Sequence, residues 1–419
     1  MNNIFVPEQY GFRTHSSTEQ ATFTLINSIL TAMNNSHIVG GIFCDLQKAF
    51  DCVNHEILLE KLEFYGVVGK FKTLIESYLT DRYQRVALDN ITNNNDSSTW
   101  ERIKCGVPQG SILGPVFFLI YINDLPTIIN KNNNMVLFAD DTSIIITDTN
   151  RHDFNINVNQ IFHDINSWFH VNLLTLNYNK TQYLEFRTKN YYNITTQIKF
   201  NQEYITNATE IKFLGLTIDD TLSWKQHIEQ LVNKMCSACY ALRNLKHIVP
   251  QDTLRVIYFA YIHAIINYGI IFWGSSYYAN KVFILQKKII RTITNTRPRD
   301  SCREAFKKLE IMTLYSQYIY SLVLYTVNNK HLFDANNEIH KYNTRNNNNL
   351  HFPITSLSKV SKGAYISGIK VFNHLPQYIK DLSNNQTHFK FTLKRFLYHH
   401  SFYSMNEYYN YKDAQEYRP

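Results

Sequence analysis

The chain has 419 residues, 44% hydrophobic and 14% aromatic, which excludes a disordered chain and leaves room for two or three domains. Its net charge of +8 is uneven: residues 1–230 carry 17 Lys and Arg against 24 Asp and Glu, and residues 231–419 carry 25 against 10. An acidic part suited to cations, followed by a basic part suited to a polyanion, points to nucleic acid; six cysteines without framework spacing exclude a disulfide scaffold and fit a reducing, intracellular setting.

Residues 7–18 are turn-rich. Arg13 there reads as a phosphate contact or as a structural ion pair. Ser17 or Thr18 can cap a helix predicted over 19–33. Residues 38–44 form a continuous apolar run, the pattern of a strand buried on both faces. The run ends at Asp45, which puts a charge where α/β and α+β enzymes tend to place chemistry. Asp51 reads as a helix-start acid before a helix over 54–64 capped by Asn54. A further helix is predicted over 70–82, then a hairpin over 84–105 around the polar loop 93–98.

Gly106, Gly110 and Gly114 follow in a glycine-rich turn that lets a backbone or a base approach closely. Ser111 can cap the next helix, predicted over 112–123, with Pro115 in its first turn. At 135–147 apolar, β-rich runs flank Asp140 and Asp141, which reads as a hairpin with two carboxylates at its tip. Adjacent carboxylates repel, so the pair suggests a divalent cation; an ordinary solvent-exposed turn is the other reading. Phe154, Val158, Ile161, Ile165 and Trp168 recur at helical spacing, as core. Lys180 sits in a turn at 177–181 leading into a strand, and residues 212–218 read as one more short strand.

From residue 223 the pattern changes to long amphipathic helices over 224–245, 253–268 and 279–294. The last carries Lys281, Lys287, Lys288 and Arg291. The apolar stretch from Val256 contains His263, Asn267 and Tyr268, costly in lipid, so it reads as a buried helix and not a membrane span. Cys236 and Cys239 form a lone CxxC without a second ligand pair, a poor zinc site. Residues 343–353 read as a polar linker before a basic segment at 389–396.

If the 38–44 strand lies beside the acidic hairpin in one sheet, Asp45, Asp140 and Asp141 converge. Three hard oxygen ligands suit two Mg²⁺ ions about 3.5–4 Å apart, the arrangement used for in-line phosphoryl transfer.

Phe43-Cys-Asp45 with Phe50, Gly106-Val-Pro-Gln-Gly-Ser111, Phe138-Ala-Asp-Asp141, Lys180 and Phe213-Leu-Gly215 stand in the order and spacing of the palm of a reverse transcriptase. The chain most resembles those of non-LTR retrotransposons of the jockey-like LINE group, with Gln9-Tyr-Gly-Phe-Arg13, Trp273-Gly274 and Asn373-His-Leu-Pro376 adding to the likeness. The resemblance implies an α+β right-hand palm, an antiparallel sheet with packed helices and partial fingers over 1–219. A helical thumb over 220–342 and a small basic C-terminal region over 343–419 would follow.

The same resemblance assigns metal binding (two Mg²⁺ ions, with Mn²⁺ as an alternative) to Asp45, Asp140, Asp141 and the Leu46 carbonyl. Phe50 matches the residue that abuts the sugar 2′ position and excludes ribonucleotides. Gln109 and Gly110 match the segment on the incoming nucleotide, and Lys180 the lysine that protonates pyrophosphate. Phe213, Leu214 and Gly215 match the primer grip. The basic thumb helices match a phosphate-tracking surface. The implied partners are an RNA template, a DNA primer and deoxynucleoside triphosphates, with no membrane, in a nuclear and cytoplasmic ribonucleoprotein. Relatives carry more fingers upstream of Gln9, with an Arg-Pro strand motif that is not found here. A 5′-truncated copy is therefore expected, with a catalytically silent remnant that at most binds nucleic acid as the alternative. An RNA-dependent RNA polymerase is disfavoured by Phe50 and by Ala139, where such enzymes carry glycine.

Overall fold

The apolar run at 38–44 forms the strand Ile38–Cys44, fully buried beyond its first residue, as its unbroken hydrophobicity requires. The computed structural model describes residues 4–411 except 90–94, 130–132, 189–195, 201–202 and 340–348. The chain divides into two compact units, Met1–Ile211 and Lys212–Pro419.

In the first unit Ile38–Cys44 is the centre of a five-stranded sheet, in the order Thr206–Asn207, Gln182–Phe186, Ile38–Cys44, Asp141–Asp148, Asn134–Phe138. Every pairing is antiparallel except that of the short edge strand Thr206–Asn207. Ile42 and Cys44 from the central strand, with Ile144 and Ile146 from its neighbour, share one core with Phe154, Val158 and Ile165 of the helix Arg151–Val171. Leu58 of the helix His55–Phe64 and Phe118 of the helix Leu113–Tyr121 extend that core. The fold is α+β, as expected.

The expected caps form. Ser17 Oγ accepts from the Gln20 amide (3.2 Å) below the helix Thr18–Asn34, and Asn54 Oδ1 accepts from Ile57 (3.1 Å). Ser111 Oγ accepts from the Gly114 amide at 2.9 Å, before the helix Leu113–Tyr121. The expected hairpin after residue 83 also forms, but Asn95–Ser97 pair with Ala87–Asp89, so part of the expected loop is strand.

The segment 212–218, read as one strand, belongs to a hairpin of Glu210–Phe213 and Leu216–Asp219. Its turn residues Leu214 (φ 43°) and Gly215 (φ 79°) both take positive φ, the geometry of a type I′ turn. A leucine in the first of those positions hides the turn from inspection, because asparagine, aspartate or glycine is usual there. The helix Lys225–Leu245 packs on Ala279–Thr294, and Leu314–Asn328 packs on Ala364–His374 and Gln386–His400. Asn373, in the helix Ala364–His374, bonds both the amide and the carbonyl of Leu350 upstream of it (2.9 and 2.8 Å). The apolar helix around Val256 widens into a π-helical stretch, Tyr258–His263, and no helix among the described residues is long and apolar enough to cross a membrane.

His227 gives the second unit an acid sensitivity. The residue is 3% exposed, and its Nδ1 accepts from the Thr217 amide at 3.3 Å, which fixes the neutral ring with its proton on Nε2. Burial, aided by the charge of Lys234, pushes its pKa down to about 4. An unfolded-chain histidine titrates near 6.5, so between those values the unfolded state binds the extra proton. The resulting stability is complete above about pH 6.5 and lost as pH falls to 4, on the order of 3 kcal/mol. His227→Asn, which keeps an acceptor but does not titrate, should flatten that slope in urea unfolding followed by the fluorescence of Trp224 and Trp273, whose rings lie 6.1 and 6.2 Å from the imidazole. An identical slope in the variant would assign the acid sensitivity elsewhere.

Candidate active site

The sheet register sets the acids. Cys44 pairs with Thr142 and Phe138 with Asp141, so one step further along the first ladder brings Asp45 opposite Asp141. Ala139 and Asp140 alone form the turn between the hairpin strands. Ala139 has φ 53°, a left-handed value at the hairpin position where a type II′ turn favours glycine, at a cost of about 1–2 kcal/mol.

Asp141 feels the charges of the other two acids. Asp141 is exposed as a residue, yet burial of its carboxyl, then the negative charges of Asp140 and Asp45, push its pKa up to about 6. Carboxylates close enough for two of them to raise the proton affinity of the third are hard oxygen donors of the kind a divalent cation needs, so the residues fit such an ion. Among the described residues no three His, Cys, Asp or Glu side chains form a ready-made cation cage. Leu46 is buried and its backbone bridges to Leu176.

The turn carrying Lys180 is tied to the same strand end. The Asp45 carbonyl accepts from the Asn177 amide (2.8 Å), and the Asp45 amide donates to Thr181 Oγ1 (3.3 Å). Lys180 Nζ thereby lies 3.5 Å from Asp45 Oδ2, with both side chains partly open to solvent.

Phe50 and the glycine-rich turn form a second cluster. The Phe50 carbonyl accepts from the Val107 amide at 2.9 Å, and the Phe50 ring stacks on the buried Phe118, centroids 4.5 Å apart. Gly106 has φ 88°, and a Cβ there would stand 2.7 Å from the Asp51 carbonyl oxygen, so no other residue fits. Gln109 Nε2 donates to Asp51 Oδ1 at 3.0 Å. Asp51, read as a helix-start acid, instead ends the 3-10 turn Ala49–Asp51, short of the helix His55–Phe64, and its carboxylate receives Gln109; a separation of 58 positions hides that pairing from the sequence. Gly110 has φ 82° and open space where a Cβ would stand.

Arg13 donates to the carbonyls of Val6 (2.5 Å) and Gln9 (3.2 Å). Phe213, Leu214 and Gly215 lie at the hairpin turn of the second unit, where the Tyr268 hydroxyl donates to the Leu214 carbonyl. The four basic residues of Ala279–Thr294 split between two faces. Lys281 and Lys288 are exposed, Lys281 also 3.4 Å from Glu229. Lys287 lies over the Phe283 ring and Arg291 donates to the Asp300 carbonyl (2.9 Å).

Residues 1–218 match the family model described as reverse transcriptase (RNA-dependent DNA polymerase). Similar curated proteins include a probable RNA-directed DNA polymerase from transposon BS of Drosophila melanogaster, 27% identical over 311 residues, covering 70% of this chain and 33% of that protein. The RNA-directed DNA polymerase from the mobile element jockey of the same fly is 26% identical over 313 residues, covering 71% and 33%. The chain spans about a third of the length of these relatives. Among solved structures, telomerase from Candida albicans, in complex with a fragment of telomeric RNA, aligns with a TM-score of 0.39 at 14% identity, covering 73% of this chain and 55% of that one.

Proposed function

Since this chain belongs to the reverse transcriptase (RNA-dependent DNA polymerase) family, we propose that it extends a DNA primer with deoxynucleotides on an RNA template as part of a non-LTR retrotransposon. The observation that carries this is the alignment of Asp45 with Asp141 across paired strands, with Asp140 in the turn beside them. Two Mg²⁺ ions (or Mn²⁺) held by Asp45, Asp140, Asp141 and the Leu46 carbonyl would supply a Lewis acid for the 3′-hydroxyl and for the triphosphate.

The chain's own groups do the rest. Asp45 and Asp140 set the charge and direction of the site, with Asp141 as the lesser partner. Lys180 gives a proton to the leaving pyrophosphate, and its proximity to Asp45 supports that role. The Phe50 ring stands against C2′ of the incoming sugar, and Gln109 and Gly110 pack on the nucleotide. Phe213, Leu214 and Gly215 hold the primer end, while Arg13, Lys281, Lys287, Lys288 and Arg291 contact phosphates, chiefly through the exposed Lys281 and Lys288. Residues 1–219 serve as fingers and palm, 220–342 as thumb and 343–419 as a basic C-terminal region, acting in a nuclear and cytoplasmic ribonucleoprotein.

Purified protein with Mg²⁺, poly(rA)/oligo(dT) and dTTP is expected to incorporate label. Retention of the labelled template and primer without any incorporation would replace this function with that of a silent, nucleic-acid-binding remnant.

A further inference from the structure

Residues 4–13 form a strap fastened at two places. Near its start Asn123, 3% exposed, accepts from the Val6 amide (3.0 Å) and donates to the Ile4 carbonyl (2.8 Å). At its end the Arg13 guanidinium holds the Val6 and Gln9 carbonyls. Between these anchors the strap runs parallel to the edge strand Asn134–Phe138, with Leu137 donating to the Glu8 carbonyl (2.9 Å) and Tyr10 donating to the Leu137 carbonyl (2.8 Å).

Gln9 is 2% exposed, and its Oε1 accepts from two backbone amides, Gly11 at 2.7 Å and Ala139 at 3.0 Å. Only an oxygen can receive two N–H donors, so the orientation of the amide is fixed. Its Nε2 is buried without a partner among the described residues, so the group is not held there by its own full satisfaction. Gly11 completes the fit: a Cβ at that residue would stand 2.3 Å from the Ala139 nitrogen and 3.0 Å from the Phe138 carbonyl carbon. The amide that Gln9 receives belongs to Ala139, the residue held at φ 53° in the turn that carries Asp140.

We propose that Gln9 is a positioning residue: its carboxamide oxygen holds the Ala139–Asp140 turn in its left-handed form and so sets where the Asp140 and Asp141 carboxylates stand. The holding contact is independent of the enzyme's activity, and its catalytic consequence rests on the polymerase function proposed above. Alanine in the turn makes an external clamp necessary, because nothing in its own backbone preference favours positive φ. A strap that approaches from outside the sheet can supply that clamp only if it has no Cβ at Gly11.

The test uses the full chain in three variants. Gln9→Met keeps length and bulk without an acceptor, Gln9→Glu keeps the acceptor oxygens, and Gly11→Ala wedges the strap off the hairpin. Hydrogen–deuterium exchange is measured by mass spectrometry over peptides spanning 135–142 and 38–44. Gln9→Met and Gly11→Ala are expected to exchange about tenfold faster over 135–142 and normally over 38–44, with Gln9→Glu close to the parent. In primer extension Gln9→Met should lower kcat by about tenfold with the KM for dTTP unchanged. Unchanged exchange at the hairpin in both disruptive variants would overturn the proposal, as would equal acceleration over both peptides. If the parent itself extends no primer, the polymerase function fails, while the exchange pattern still decides the role of Gln9.

Discussion

Asp140→Ala is expected to abolish dTTP incorporation, by at least about 10³-fold, at any Mg²⁺ concentration. The size of the effect follows from its place. Asp140 lies in a two-residue turn whose path is fixed by the strand pairing behind it and by the Gln9 oxygen on the Ala139 amide. No other acid lies in that turn, and a neighbouring side chain can replace its charge only by moving the hairpin. The substitution should not harm the fold. Asp140 contributes to the repulsion that lifts the pKa of Asp141, so its removal leaves the metal-free chain equally or more stable. A thermal midpoint that holds while activity vanishes is the expected pair of results. Incorporation equal to that of the parent would remove the hairpin from the metal site.

Phe50→Ala is expected to admit ribonucleotides, with discrimination between dTTP and rUTP falling by roughly 10–100-fold. A ring excludes a hydroxyl only if it cannot yield. Phe50 is stacked on Phe118, itself fully buried, with the two ring planes 25° apart, and its backbone carbonyl is bonded to Val107 of the glycine-rich turn. Truncation to alanine removes the obstacle and leaves its backing in place. Phe50→Tyr, which keeps the ring, should keep the exclusion. If Phe50→Ala still rejects rUTP as fully as the parent, the gate lies elsewhere.

Much of the first unit was legible because its signals are local. A short unbroken apolar run is the pattern of a strand covered on both faces, and Ser17 and Asn54 announce helices through their own hydrogen bonds. Two acids between apolar runs read as a hairpin tip, and Asp141 pairs with Phe138 across a two-residue turn as expected. The Leu214–Gly215 turn was not legible, since tertiary contacts hold a leucine in a conformation its own preference disfavours. The four basic residues of Ala279–Thr294 are one cluster by composition. Helical geometry turns Lys281 and Lys288 outward and sets Lys287 and Arg291 against Phe283 and Asp300.

By itself the sequence determined which residue types are present and where the chemistry-bearing ones fall along the chain: Asp45 after a buried strand, Asp140 and Asp141 at a hairpin tip, Phe50 five residues after Asp45 and Gln109 in a glycine-rich turn. Only the tertiary structure decided which of them meet. Antiparallel register brings Asp45 opposite Asp141, backbone bonds from Asn177 and Thr181 bring Lys180 to Asp45, and a strap from the start of the chain places Gln9 on the Ala139 amide. Local preference acts over a few residues, whereas these contacts join positions 96, 135 and 130 residues apart, which only strand pairing and core packing can bring together.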